Sequence, residues 1–321
     1  MSKLATAIRL IKNNKAEFCA AFLEKFNFIF PDKLYLQLFF RCKMGYWLNL
    51  KNPKTFNEKM QWLKLYNRNP FYSVLVDKFA VKDYIAKKIG EEYVIPTLGV
   101  WNNAKDIDFS SLPDQFVLKT TNGGGGDVII CKDKAKFNIN NAIERLNNCL
   151  KMSLYESFRE WPYKNVSARI IAEKYMEDDQ DGELRDYKFY TFNGVPKFML
   201  IVSNRYVDGK KCFDYFDMQF NSVKLKDLDV PNSQNALPHM PHNFELMKKL
   251  CKVLADDLPF VRIDFYDING KVYFGEMTFF DTGGFMKASP DTWEKEWGDM
   301  VKLPIRVKKS HYLGNFFSRN D

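Results

Sequence analysis

Residues 260–278 constrain the fold of this chain more than any other stretch. Two runs, 260–266 and 272–278, are rich in aromatic and β-branched residues, and Asn269-Gly270 lies between them. This pattern predicts a β-hairpin. Both runs are so apolar that we expect other parts of the chain to cover both faces of the hairpin. Its charged residues are therefore the first candidates for a functional site, since a buried acid needs a partner or a metal ion.

The length of the hairpin loop decides which charged side chains meet. A two-residue loop places Asp264 and Glu276 on opposite faces, because side chains alternate along a strand. A three-residue loop, 268–270, pairs Arg262 with Glu276 and Asp264 with Phe274, which brings all three charged groups to one face. We expect the three-residue loop. Two carboxylates beside an arginine suit a magnesium–phosphate site, and the alternative is a solvated hairpin with a surface Arg–Glu pair.

Length and composition indicate an ordered globular protein. The 321 residues are 46% hydrophobic and 16% aromatic, enough for two or three subdomains around a large core. A net charge of +8 favours acidic partners such as nucleotides, acidic glycans or an anionic membrane surface. The six cysteines form no CxxC pair, and we expect reduced thiols of a cytoplasmic protein. The N-terminal residues lack the features of a secretory signal, and no run is long and apolar enough to span a membrane.

The order of predicted elements indicates an α/β (α+β) fold that follows a mostly helical N-terminal region. Residues 1–92 form that region, where Thr55 and Glu58 make a capping-box pattern at a helix start. Strands are predicted at 116–119 and 128–131, and further on lie a strand at 170–176, a hairpin over 184–202 and a helix at 244–254. We expect four parts: 1–92, 93–172, 173–305 and a basic tail, 306–321.

A run of four glycines, Gly123 to Gly126, separates the strands at 116–119 and 128–131. Glycine loses the most conformational entropy on folding, so a function must require the run. Consecutive backbone amides bind phosphate oxygens, and Lys119 lies just before the loop. The sequence therefore predicts a phosphate-binding loop, with a mobile hairpin tip as the alternative. No GK[ST] follows, so the loop is not a Walker A motif.

Other polar motifs carry weaker signals. Asp77, Lys78 and Lys82 lie on a predicted helix, where a solvated charged face is favoured over a site. His239 and His242 are close enough to suggest a metal, but no nearby cysteine completes a site. The Asp-x-Asp pairs at 106–108 and 227–229 resemble glycosyltransferase metal motifs, which arise often by chance.

The order of these parts resembles the ATP-grasp superfamily, which includes the D-alanine–D-alanine ligases. More closely, the chain resembles the TupA-like ATP-grasp family, named for teichuronopeptide biosynthesis, over roughly residues 50–300. The blocks that carry the resemblance are NPKTFNEKMQWLKLY, LVDKFAVKDYI, EEYVIPTLGVW, LPDQFVLK, RDYKFYTFNGVPKF and FVRIDFYDINGKVYFGEMTF.

The resemblance implies roles for individual residues. The implied ATP-binding residues are Lys82, Lys119, Gly123, Gly124, Gly125, Gly126, Glu173, Lys174, Tyr175, Met176, Glu183 and Lys188. Among these, residues 173–176 would form the adenine hinge and Glu183 would bind the ribose. The implied Mg²⁺ ligands are Asp264 and Glu276, with Thr278 in the place of a usual Asn. Arg262 and Lys188 would be catalytic: Arg262 would stabilise charge on the acyl phosphate, and Lys188 would contact phosphate.

The implied function is an ATP- and Mg²⁺-dependent carboxylate–amine ligase that acts through an acyl phosphate. The carboxylate would belong to a uronic acid or similar group of a cell-surface or capsular glycan, or of its precursor. The amine would come from an amino acid or a similar compound. No nucleic acid is expected as a partner.

Three rival functions and one alternative location remain open. The rivals are a kinase of a glycan hydroxyl, a non-catalytic nucleotide-binding component of polysaccharide assembly, and a glycosyltransferase. We expect a cytoplasmic location. The alternative is peripheral contact of the basic termini with the inner face of the membrane.

Overall fold

A computed structural model of the protein describes residues 15–123, 128–178, 184–205, 210–234 and 236–305. The α-helices are α1 (Lys15–Lys25), α2 (Asp32–Met44), α3 (Phe56–Tyr66), α4 (Tyr72–Val76), α5 (Ala80–Lys88), α6 (Ile139–Leu150), α7 (Leu154–Phe158), α8 (Phe244–Ala255) and α9 (Thr292–Met300). The strands are β1 (Thr97–Trp101), β2 (Phe116–Thr120), β3 (Ile129–Cys131), β4 (Ile170–Lys174), β5 (Asp186–Phe192), β6 (Val195–Ser203), β7 (Cys212–Asp217), β8 (Lys226–Asp227), β9 (Phe260–Ile268), β10 (Lys271–Thr278) and β11 (Ala288–Ser289).

Two antiparallel sheets form the centre of the molecule. The smaller sheet has the strand order β1-β4-β2-β3, and helix α6 packs against it through Ala142 and Leu146. The larger sheet has the order β10-β9-β5-β6-β7. Its β5 is buried along its whole length, as expected for a strand covered on both faces. Helix α8 covers one of those faces, where Phe244 stacks on Phe189.

The N-terminal helices add a third packed region and close the other face of the larger sheet. Thr55 and Glu58 form the predicted capping box at the start of α3. The first residue of that helix, Phe56, packs on Phe260 of β9 and on Trp297 of α9. The apolar packing therefore fixes α3 directly beside the hairpin that carries the charged residues.

The turn of the β9–β10 hairpin differs from the prediction. Ile268 pairs with Lys271, so the loop contains only Asn269 and Gly270. Both loop residues have a positive φ, +50° and +75°, as a type I′ turn requires. The predicted three-residue loop is wrong, because Asn-Gly supplies a complete turn and leaves Ile268 in the ladder.

A β-bulge at Gly275 nevertheless brings the two acids together. The extra residue shifts the pairing beyond Phe274, so that Glu276 lies opposite Asp264. The predicted partners, Phe274 for Asp264 and Glu276 for Arg262, are therefore wrong. The prediction that the three charged groups share one face holds, but a bulge causes it, and not the turn.

The remaining predicted elements agree with the structure to within a few residues. The apolar pattern over 142–154 also predicts a single helix, but two occur in this region, α6 and α7. The boundary predicted after residue 172 falls inside β4, and the division into domains stays a prediction. The basic tail, 306–321, lies outside the described residues. All six cysteines are free thiols. None of the helices in the described ranges has the length and apolarity to cross a bilayer.

Candidate active site

A cavity of about 600 Å³ lies between the two sheets. The smaller sheet contributes side chains from β2, β3 and β4, and the larger sheet contributes β9 and β10. The volume falls within the range of cavities that hold small molecules and cofactors. Most of the predicted site residues in the described ranges line this cavity: Lys82, Lys119, Glu173, Lys174, Tyr175, Met176, Asp264 and Glu276.

Glu173 lies between two lysines on the wall formed by the smaller sheet. Its Oε1 is 2.6 Å from Lys82 Nζ and its Oε2 is 2.6 Å from Lys119 Nζ. Lys119 and Glu173 are diagonal neighbours on β2 and β4, so the sheet register itself places them together. Lys82 reaches the same carboxylate from α5 and also donates to the Thr97 hydroxyl at 2.7 Å. The structure therefore gathers two cations around one buried acid.

These charges shift one another's pKa values. Burial by itself raises the pKa of Glu173, but the neighbouring Lys119 and Lys82 outweigh it, and the pKa is lowered. Burial lowers the pKa of Lys82, an effect that Glu173 partly offsets. The two lysines therefore favour the charged form of the buried Glu173 carboxylate.

The residues after Glu173 form an edge of the same cavity. Lys174, Tyr175 and Met176 all line it, and Lys174 N–H donates to the Pro96 carbonyl at 3.1 Å. Apolar side chains surround this edge: Val81, Val94, Ile95, Val117, Ile130, Leu184, Ile268 and Phe274. A flat aromatic ring would find apolar contacts here beside backbone groups.

A row of charges crosses the larger sheet on the cavity side. Lys188 on β5 lies directly opposite Asp264 on β9, which lies opposite Glu276 on β10. Lys188 Nζ bonds Asp264 Oδ2 and is 3.6 Å from Asp186 Oδ1. Asp186 in turn pairs with Arg205 at 2.5 Å. Three adjacent strands thus place one cation and two carboxylates along one line.

Arg262 joins this row to the segment after β10. Its Nε donates to Asp264 Oδ1 at 2.7 Å, and its Nη2 donates to Glu276 Oε1 at 2.8 Å. Its Nη1 donates to Asp281 Oδ1. Asp281 also accepts a bond of 2.7 Å from the Tyr190 hydroxyl. The guanidinium is therefore held by three carboxylates in one orientation.

The two facing carboxylates titrate differently. Burial raises the pKa of Asp264, and Arg262 and Lys188 offset only part of this effect. Burial also acts on Glu276, but Arg262, Lys188 and Lys78 together lower its pKa. Glu276 therefore keeps its negative charge at neutral pH.

The donor set suits Mg²⁺. Asp264 and Glu276 present carboxylate oxygens from facing positions at the cavity wall, and Mg²⁺ is commonly held by one or two carboxylates together with phosphates and water. Thr278 lies one pair further along, opposite Arg262, and is not among the cavity-lining residues. No group of three or more His, Cys, Asp or Glu within the described ranges is arranged to hold a metal. Any further ligands would come from the substrate and solvent.

Lys78 lines the cavity, although the sequence favoured a solvated charged face at this position. It lies between α4 and α5 and donates from Nζ to the Gly123 carbonyl. The preceding Asp77 caps α5 through the Phe79 amide at 2.8 Å and binds Arg169 at 2.7 Å. The sequence signal for this position is the Asp-Lys pair before a helix. Helical spacing alone, however, is equally consistent with a charged face exposed to solvent.

Other site residues were missed, or lie outside the described ranges. The sequence patterns assigned no role to Asp281, Asp186 or Arg205, whose ion pairs form only in the folded chain. Gly124, Gly125, Gly126 and Glu183 lie outside the described residues, whereas Gly123 is described. His239 lies 3.2 Å from Arg185 and in no metal cluster of the described residues.

The sequence matches one family model, described as TupA-like ATPgrasp, over residues 58–302, which is more than half of the chain. The chain belongs to the TupA-like ATP-grasp family. The family assignment confirms the predicted resemblance and ATP-grasp fold, and the matched range contains every predicted site residue. No protein of curated function matches the sequence.

Several solved structures are similar to this TupA-like protein at low identity. A D-alanine–D-alanine ligase from Bacillus anthracis complexed with ATP is 14% identical, with a TM-score of 0.37, over 64% of this chain and 54% of that chain. A D-alanine–D-alanine ligase from Helicobacter pylori is 17% identical, with a TM-score of 0.39, over 78% and 69%. D-cycloserine synthetase is 14% identical, with a TM-score of 0.39, over 73% and 72%. The chain spans just over half the length of the first of these structures.

Proposed function

We propose that this TupA-like protein is an ATP-dependent carboxylate–amine ligase that forms ADP. The observation that carries the proposal is the facing pair Asp264 and Glu276, which opens onto the same cavity as Lys82 and Lys119. Carboxylates on one wall and lysines on the other can hold the two ends of a magnesium–triphosphate group. The family match supports this assignment.

The nucleotide would lie along the cavity with its base at the apolar edge. Residues 173–176 would face the adenine, and Lys119, Lys82 and Lys78 would face the phosphates. Lys78 is included because it contacts the carbonyl of Gly123, where the predicted phosphate loop begins. The Glu173 carboxylate holds Lys82 and Lys119 at one place before any phosphate arrives.

The reaction would proceed in two steps. A substrate carboxylate oxygen attacks the γ-phosphorus, the bond to the β,γ-bridging oxygen breaks, and ADP leaves with that electron pair. An amine then attacks the acyl carbon, inorganic phosphate leaves, and the amine loses a proton as the amide forms. Mg²⁺, held by Asp264 and Glu276, would neutralise charge on the transferring phosphoryl group. Catalysis of this kind consists mainly of positioning and electrostatic stabilisation.

Arg262 and Lys188 would act on the charge that develops between the two substrates. Both cations are nearly buried, with side chains 11% exposed, and both contact Asp264. In such a site a fixed cation stabilises a developing anion more strongly than it would in water. The acyl-phosphate oxygens are the anions that would need it.

The substrate class is the finer part of the proposal. We place the carboxylate on a uronic acid or similar group of a cell-surface glycan or its precursor, and the amine on an amino acid or similar compound. The basic balance of the chain, +8, favours an acidic glycan over a neutral one.

The test is to incubate the protein with Mg-ATP, a uronic-acid oligosaccharide and a mixture of amino acids. The expected products are ADP, inorganic phosphate and an amide detected by mass spectrometry, in equal amounts. The Glu276→Gln variant is the control for contaminating activity. A phosphorylated oligosaccharide without free phosphate would establish the kinase instead, and ATP binding without any product would favour a non-catalytic role.

A further inference from the structure

Helix α3 carries a buried polar face that the proposed reaction does not use. Asn57, Gln61 and Lys64 are all fully buried, at 0% exposure. Their spacing of four and then three residues places them on one side of the helix. Polar groups at such positions are costly unless they are bonded. Their partners therefore show what the face is for.

All three side chains bind the backbone of the segment that follows β10. Gln61 Nε2 donates to the Gly284 carbonyl at 2.7 Å, and Lys64 Nζ donates to the Gly283 carbonyl at 2.6 Å. Asn57 makes bonds in both directions with the Met286 backbone, at 2.9 and 3.1 Å. Helix α3 thus bonds to the backbone of Gly283 and Gly284, inside one short turn, and to the backbone of Met286, just after that turn.

The turn that is held in this way has an unfavourable backbone. Thr282, Gly283 and Gly284 have φ values of +47°, +63° and +67°. A β-branched residue at positive φ is an outlier that persists only where the surroundings fix it. A Cβ on Gly284 would lie 2.6 Å from Gln61 Nε2, so the helix and the turn are in close contact. The bonds from α3 supply the restraint that this conformation needs.

The same turn begins with Asp281, the carboxylate that binds Arg262 Nη1. Arg262 in turn contacts Asp264 and Glu276. A continuous series of contacts therefore runs from the polar face of α3, through the turn, to the guanidinium between the proposed metal ligands. Lys64 Nζ also donates to the Phe158 carbonyl at 2.7 Å and lies 4.9 Å from the centroid of the Phe285 ring. Because burying a polar group costs free energy that its bonds only offset, a buried amine at this position is better explained by the carbonyl groups it holds than by stability.

We propose that Gln61 and Lys64 are positioning residues that fix the Asp281 turn and thereby the orientation of the Arg262 guanidinium. The consequence for catalysis rests on the proposed ligase function, but the orientation of Arg262 does not. Helix α3 of the N-terminal helical region would then position a catalytic side chain without itself contacting the reacting atoms.

The orientation is tested by the exchange of the Arg262 Nε–H with water, followed by NMR on protein labelled with ¹⁵N-arginine. The signal is assigned by its loss in Arg262→Lys. In Gln61→Ala and in Lys64→Met we expect exchange to become about tenfold faster, since each loses a bond that holds the turn. The matched control is Lys59→Met. Lys59 lies on the same helix and donates to the carbonyls of Gly298 and Val301 at 2.7 and 2.8 Å.

Unchanged exchange in both folded variants would overturn the proposal, as would equal acceleration in Lys59→Met. If Lys64→Met does not fold, Gln61→Ala decides alone, because it removes an uncharged group. Wild-type protein that forms no ADP would refute the ligase function and leave this result standing.

The catalytic consequence is tested by steady-state ADP formation with the substrates named above. Both variants are expected to lower kcat about tenfold while KM for ATP stays within about twofold, because α3 does not face the nucleotide. The double variant Gln61→Ala/Arg262→Ala should be no slower than Arg262→Ala alone, since the first residue acts through the second. Additive losses, or a rise in KM without a fall in kcat, would show a merely structural role.

Discussion

Replacing Glu173 by glutamine tests whether Lys82 and Lys119 depend on one buried carboxylate. The substitution keeps the volume and removes the charge. Glu173 is 6% exposed in its side chain, and each of its partners, Lys82 and Lys119, lies 2.6 Å away. A glutamine oxygen can accept from one lysine, but its amide N–H₂ then faces the other. Two ammonium groups would be left close together without an anion.

The expected cost follows from how far these groups are buried. Removing one partner of a fully buried pair costs about 3–5 kcal/mol. The lysine side chains are 13% and 16% exposed and line an open cavity, so water relieves part of the penalty. We expect Glu173→Gln to lower the free energy of unfolding by about 2–3 kcal/mol. For a chain of this size that corresponds to a fall in Tm of about 5 °C.

Thermal melting at neutral pH without nucleotide is the assay, and Glu177→Gln is the matched control. Glu177 pairs with Lys132 at 3.5 Å, with side chains 42% and 61% exposed, so its loss should cost less than about 0.5 kcal/mol. The effect should also depend on pH. The pKa of Glu173 is lowered from 4.5. Its stabilisation is therefore complete above that ordinary value and is lost as the pH falls through the folded-state pKa.

The difference in stability between wild type and Glu173→Gln should accordingly shrink below about pH 4.5. Mg-ATP should raise the Tm of the variant at least as much as that of the wild type, because phosphates replace the missing anion. A Tm for Glu173→Gln within about 1 °C of the Glu177→Gln value would refute the reasoning.

Three further predictions concern the metal and phosphate groups. Asp264→Asn and Glu276→Gln should each abolish ADP formation while the circular dichroism spectrum stays unchanged, and near-normal turnover at saturating Mg²⁺ would exclude the metal site. Lys119→Ala should weaken ATP binding, measured by calorimetry, by about tenfold or more, and by more than Lys82→Ala does. Small and equal losses of affinity in the two variants would show that the phosphates bind elsewhere. Gly275→Ala should raise the Mg²⁺ concentration needed for half-maximal turnover several-fold. A Cβ at this position would lie 3.0 Å from the Asp264 carbonyl oxygen and would displace the bulge. An unchanged Mg²⁺ requirement would show that the bulge tolerates a side chain.

Local sequence signals predicted the elements well because they depend on near neighbours. The capping box at Thr55 and the hairpin over 184–202 are fixed by residues within a few positions of each other. The alternation along β9 likewise placed Arg262 and Asp264 on one face. These features need no knowledge of the rest of the chain.

The register of the hairpin could not be predicted in the same way. Gly275 marks the bulge, but a glycine inside a strand pattern also fits an ordinary ladder position. A two-residue turn and charged groups on one face are compatible only if β10 contains one extra residue, and the bulge supplies it. The chemical requirement that buried acids meet a cation was the better guide, and it outweighed the wrong loop length.

The site residues that the sequence did not reveal depend on contacts between segments that are far apart in the chain. Lys64 and Gly283 are separated by more than two hundred residues, yet they share a bond of 2.6 Å. Lys78 and Gly123 meet across the boundary between the helical region and the smaller sheet. In the sequence, Lys64 and Lys78 look like lysines on helices with solvated faces. Only packing shows that Lys64 is fully buried and that Lys78 lines the cavity.

The N-terminal helical region is therefore part of the site and not an appendage to it. Lys78 and Lys82 reach the cavity from this region, and α3 holds the Asp281 turn through Gln61. A fragment that begins at β1 would contain the strands of both sheets. In it, however, Glu173 would lose its contact with Lys82, and the Asp281 turn would lose its bonds from α3. Since a buried carboxylate and a left-handed turn are both costly without partners, the helices and the sheets should unfold together. The family match begins at residue 58 and so includes most of α3 together with α4 and α5.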